Sequence, residues 1–154
     1  MIAVKIMDAK NAEIIVDTLA GIFSDKPALR FSSPYELLVA VILSAQCTDE
    51  RVNKVTSVLF KEYDTPEKML TLSEKELEKY IFSCGLYKTK AEHILSASRA
   101  IVRDFGGEVP DTLEGLRSLA GVGRKTANVV YSVAFGGAAI AVDTHVFRVA
   151  NRIG

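Results

Sequence analysis

Cysteine is scarce in this chain. Only Cys47 and Cys84 occur in 154 residues, and neither belongs to a C-x-x-C pair. That excludes a disulfide scaffold and a self-contained cysteine-rich metal site. The pair reads instead as two small core or near-surface residues in a reducing compartment. An excess of charge is also lacking, since 19 Lys and Arg meet 19 Asp and Glu. Bulk charge therefore gives no sign of a nucleic-acid partner. No apolar run approaches the roughly 20 residues of a membrane span. The opening Met1–Lys10 has no basic stretch followed by a long apolar one, so no secretory signal is expected and the cytoplasm is the expected location. Ten glycines and four prolines exclude collagen-like and low-complexity classes.

What is present is ordinary globular composition, 49% hydrophobic and 25% charged. A chain of this length fits one domain or a compact two-lobed unit and buries roughly two-thirds of its unfolded surface. Charge is unevenly spread. From Arg117 onward the five basic residues Arg117, Arg124, Lys125, Arg148 and Arg152 face one acid, Asp143, giving this stretch a net +4 against −4 for residues 1–116. A basic end on a neutral chain makes an electrostatic footprint, although a solvated helix face has the same composition.

The pattern is helical throughout, and an all-α bundle of short helices is expected. Ser33-Pro34-Tyr35-Glu36 combines a cap, a first-position proline and the glutamate of a capping box. The continuous apolar run Leu37–Leu43 that follows predicts a central, buried helix. Thr65-Pro66, Ser73-x-x-Glu76 and Asp111-x-x-Glu114 open further short helices. Helical spacing also links Val52, Val55, Leu59 and Phe60, and again Ile94, Leu95, Ala97 and Ile101. Asp104–Pro110 is a loop, and Ala138–Val142 an extended connection.

The segment LRSLAGVGRKTANVV, Leu116–Val130, is the most informative. A short helix is expected from Asp111 to about Leu119, then Gly121-Val122-Gly123, then a second helix opening on Arg124-Lys125-Thr126. The glycines permit a sharp turn and close approach of a partner. The second helix offers its amide groups and positive dipole end to an anion such as phosphate. Such a hairpin reads a DNA backbone rather than its bases. Val122 is expected to anchor the turn in its own core. The positive helix end and Arg124 both work against the ammonium form of Lys125, and a desolvated amine is a nucleophile. The plainer reading is an exposed helix lysine or a phosphate contact. Further on, Asp143 precedes an apolar-periodic run with Val146 and Val149. It is a natural N-cap, and beside an amine it is also a proton acceptor or a stabiliser of positive charge at a sugar carbon. His145 reads most simply as a packed or capping histidine.

Together, LAGVGRKTANVV and AVDTHVFRVANRIG resemble the helix-hairpin-helix DNA glycosylases, and among them the endonuclease III family. FSSPYELLVAVILSAQCTDERVNKV and CGLYKTKAEHI extend the resemblance over nearly the whole chain from Asn11. It implies a bifunctional DNA glycosylase and abasic-site lyase acting on oxidised pyrimidines. In that family Lys125 matches the Schiff-base nucleophile and Asp143 the assisting carboxylate. Gln46 and Leu86 match residues that fill the gap left by a flipped nucleotide. The hairpin residues Gly121, Val122, Gly123, Arg124 and Thr126, with His145, match the DNA-contacting positions. Adenine-mismatch relatives usually lack the lysine. The partner implied is double-stranded DNA with a damaged base or abasic site, bound by a monomer.

The sequence departs from the family in two places. Relatives continue into a segment with a four-cysteine [4Fe–4S] cluster whose ligands have no counterpart here, so a truncated chain without the cluster is expected. The expected organisation is an N-terminal helix of a second lobe in residues 1–26, a six-helix domain in 27–137 with the hairpin at 112–135, and the start of the second lobe in 138–154. Ile14, Ile15 and Leu19 would then lack partners, leaving apolar surface open to self-association and impairing activity. Ala120 also replaces a proline usual in the hairpin. The alternatives to an enzyme are a non-catalytic DNA-binding module and a self-associating helical fragment.

Overall fold

Ser33 starts the central helix as its sequence dictates. In the computed structural model, which describes residues 7–24 and 26–153, its extended backbone lets the hydroxyl accept from the Glu36 amide at 3.1 Å. Pro34 then leads α2 (Pro34–Ser44), in which Tyr35 to Leu43 are all buried. The Glu36 carboxylate reaches back to the Ser32 amide, one residue earlier than the reciprocal bond of a capping box requires. Among the described residues every regular element is helical.

The chain divides into two units, one of residues 28–141 and one of residues 1–27 with 142–154. The larger unit carries seven helices where six were expected: α2, α3 (Asp49–Leu59), α4 (Pro66–Met69), α5 (Glu74–Ile81), α6 (Tyr87–Asp104), α7 (Leu113–Arg117) and α8 (Arg124–Phe135). Of these, α4 and α7 are little more than single turns. The buried helix α2 packs on α3, α6 and α8; α6 also packs on α4 and α5, and α7 on α8. The core is one cluster running from Tyr35 to Val130, with Leu43, Leu59, Leu77, Ile101 and Leu116 fully buried. Inside it the Ser98 hydroxyl donates to the Ile94 carbonyl, so Tyr35 supplies the proton of the 2.6 Å bond between Tyr35 and Ser98.

The remaining caps follow the sequence with one correction. Ser73 and Glu76 form a reciprocal capping box on α5, and Thr65 caps α4. The cap of α7 is Thr112 rather than Asp111. Thr112 holds the extended backbone just before the helix and accepts from the Gly115 amide at 3.1 Å, while α7 ends at Arg117 rather than near Leu119. Capping depends on which residue takes the last non-helical position, and a run of two candidate caps leaves that open until the backbone is placed.

The smaller unit contributes α1 (Ala9–Ile22), which lies within the expected residues 1–26 and is capped by Asp8 accepting from the Asn11 amide, and α9 (Thr144–Ile153). No residue of either helix is buried. Ile14, Leu19 and Phe147 are exposed, and Ile15 is half-buried. Of the expected N-terminal and C-terminal segments, residues 1–6, Asp25 and Gly154 lie outside the described residues. Among the described residues no helix is long and apolar enough to cross a membrane.

Candidate active site

The hairpin forms as the glycines require. Helix α7 ends at Arg117, the Val122 amide bonds back to the Leu119 carbonyl, and α8 starts at Arg124. Gly121 has φ of +75°, the left-handed region that side chains resist, and a Cβ there would lie 2.9 Å from His93. Gly123 differs: its φ of −82° and ψ of −179° suit any residue, and a Cβ would meet nothing within 4 Å. Nothing in the fold itself demands glycine at 123.

Val122 is buried, so it anchors the turn and turns no side chain outward. Arg124 and Lys125 are exposed in the first turn of α8, and Thr126 is half-buried. Gly123, as N-cap, has no side chain to cap that turn. The hairpin therefore presents two cationic side chains and the positive end of a twelve-residue helix on one surface. Beside it is an open cleft of about 880 Å³ whose lining includes Arg117, Arg124 and Asn128. Asn128 donates to the Ile140 carbonyl at 2.9 Å and so ties the extended connection of residues 138–141 to α8.

Gln46 and Leu86 come together in the larger unit. They are the two non-glycine residues with positive φ among the described residues, +52° and +59°, and both are exposed. A Cβ on Gly85 would approach the Gln46 carbonyl oxygen to 3.3 Å, so their loops are neighbours. An exposed leucine with left-handed backbone is unlike a core leucine. Such strain persists only where the surroundings impose it, and it concentrates at functional sites.

Asp143 belongs to the smaller unit. Its Oδ1 accepts from the His145 and Val146 amides at 2.9 and 2.8 Å, which is the capping role its sequence position suggests. Its Oδ2 lies 4.0 Å from Nδ1 of the exposed His145 ring. Sequence reasoning missed three residues: Lys90, buried in α6; His93, packed on Gly121; and Asn128. The signal for Lys90 was present, because it precedes Ile94 by four residues and so shares the apolar face of α6.

A short glycine hairpin, without a side-chain cap and with two exposed cations at the head of α8, defines a helix-hairpin-helix protein. Residues 39–154 match the family model described as HhH-GPD superfamily base excision DNA repair protein. Endonuclease III of Bacillus subtilis is 51% identical over 149 residues, covering 96% of this chain and 68% of its own length. Endonuclease III of Escherichia coli is 49% identical over 144 residues, covering 94% and 68%. A solved structure of a trapped endonuclease III–DNA covalent intermediate superposes with a TM-score of 0.87 at 48% identity, covering 94% of this chain and 68% of that one. A thermostable thymine-DNA glycosylase superposes with a TM-score of 0.83 at 30% identity, covering 91% and 66%. The chain belongs to the HhH-GPD superfamily of base excision DNA repair proteins and, within it, to the endonuclease III family.

Proposed function

We propose that the chain is a DNA glycosylase with abasic-site lyase activity that acts on duplex DNA through Lys125. The observation that carries this reading is an exposed lysine in the first turn of the helix after the hairpin, on a chain half identical to endonuclease III. The substrate class is an oxidised pyrimidine or the abasic site it leaves. The Lys125 amine attacks C1′ of the extruded nucleotide and the C1′–base bond breaks, with the base taking the electron pair and a proton. The ring-opened sugar is then a Schiff base on Lys125. Loss of a proton from C2′ expels the 3′ phosphate by β-elimination. Asp143 stabilises positive charge at the sugar as the base departs and relays the later protons. Gln46 and Leu86 occupy the vacated space in the duplex. Gly121, Gly123, Arg124 and Thr126 engage the phosphates, with His145 contributing from the start of α9.

The chain's two cysteines fall short of the four thiolates a [4Fe–4S] cluster takes, so no step runs through one. The working unit in this reading is a monomer in the cytoplasm. The apolar residues exposed on α1 and α9, among them Ile14, Ile22 and Phe147, give the chain a surface for self-association.

Borohydride trapping on a duplex with one abasic site, run beside Lys125→Ala, tests the reading. A covalent adduct with the parent chain, absent from the variant, is expected. DNA binding without any adduct would instead support the non-catalytic module.

A further inference from the structure

Lys90 takes no part in the chemistry above, yet it is one of the few charged side chains in the core. It is 4% exposed. Its Nζ donates to the Leu43 carbonyl at 2.8 Å and to the Ala45 carbonyl at 2.6 Å. Those carbonyls stand at the end of α2, where the helical ladder has run out of donors and the dipole is negative. A buried cation satisfied by main-chain oxygens is costly to remove, since its loss leaves those carbonyls without their donor.

Both ends of this tie carry a strained residue. Gln46 follows Ala45 directly, at φ of +52°. Leu86, at φ of +59°, is the N-cap of α6, and its carbonyl accepts from the Lys90 amide at 3.0 Å. Left-handed backbone is sterically disfavoured for an ordinary side chain. Neither residue offsets that by burial, because both are exposed. The strain has to be imposed by what holds the two loops, and the Lys90 side chain, rooted in the first turn of α6 just after Leu86, reaches across to the carbonyls at the end of α2 just before Gln46.

We propose that Lys90 is a positioning residue: it locks the loop after α2 to the start of α6 and so holds Gln46 and Leu86 in the posture that fills the gap left by an extruded nucleotide. This rests on the glycosylase reading given above. Lys90 touches neither DNA nor the reacting sugar; it acts through the two loops.

The experiment compares two substrates, a duplex with one abasic site and the same abasic strand alone, which has no gap to fill. With Lys90→Met, the trapping rate is expected to fall at least tenfold further on the duplex than on the single strand. A 2-aminopurine placed next to the abasic site reports the insertion directly. Its fluorescence change on binding is expected with the parent chain and lost with Lys90→Met. Equal losses on both substrates with an intact 2-aminopurine signal overturn the proposal, because a general loss of stability moves both rates together. Where Lys90→Met does not fold by circular dichroism, Lys90→Gln removes the charge while keeping an amide donor and carries the same comparison. A parent chain that traps neither substrate overturns the glycosylase reading instead. The 2-aminopurine signal, which needs binding and no chemistry, then still decides the role of Lys90.

Discussion

The two hairpin glycines separate conformational need from functional need. Gly121→Ala puts a Cβ on a left-handed backbone 2.9 Å from His93, so a loss of at least about 1 kcal/mol is expected. Gly123→Ala has room and a permissive backbone. Its stability should be unchanged, or raised by about 0.4–1 kcal/mol through the stiffer unfolded chain. On the proposed function, in which Gly123 engages a phosphate, the added methyl group should nevertheless weaken DNA binding. Urea unfolding and fluorescence anisotropy on each variant check both halves. Cys84 supplies a pH prediction. Burial, reinforced by the neighbouring Cys47, pushes its thiol from 9.0 up to about 11. Between those values the unfolded chain has given up a proton that the folded chain keeps, so stability falls as pH rises through that window. Lys90 works the other way: burial lowers its pKa, so just below its ordinary 10.5 the unfolded chain holds the extra proton and stability rises with pH. Cys84→Ala should flatten the decline between pH 9 and 11 in urea unfolding, leaving the Lys90 contribution exposed.

At the scale of the element, caps decide where these short helices begin. Helix α7 is only five residues long and owes its start to Thr112. Thr112→Ala should cost about 1 kcal/mol, and Asp111→Ala close to nothing. The reverse order in thermal unfolding would put the cap back on Asp111. This matters for the site because α7 forms one arm of the hairpin and packs on α8, which carries Lys125. The central helix α2 shows the opposite regime. Its continuous apolar run predicts burial on every side, and the helix is buried from Tyr35 to Leu43. The capping box of α5 was equally legible, since Ser73 and Glu76 meet through bonds three residues apart.

At the scale of the molecule, the buried hydrophobic residues among those described all fall between Tyr35 and Val130, inside the unit of residues 28–141. A fragment of residues 28–141 should therefore unfold cooperatively and retain most of the stability of the chain. It keeps the hairpin, so DNA binding should survive and weaken with salt as phosphate contacts do. It lacks Asp143, so borohydride trapping should be lost or sharply reduced. A fragment that unfolds without a cooperative transition would show that residues 1–27 and 142–154 contribute to the core.

The sequence by itself determined the helical class, the central helix, most caps, and the hairpin with Lys125 at its head. Each of these depends on residues within a turn or two of one another, where spacing and backbone preference act directly. The same locality placed Asp143 at the start of α9, where it accepts from two amides. Tertiary structure alone decided that Leu86 is exposed in a left-handed conformation, that Gly85 and Gln46 are neighbours, and that Lys90 is buried against carbonyls more than forty positions away. Burial and strain are set by what packs from elsewhere in the chain, and no local pattern carries that information.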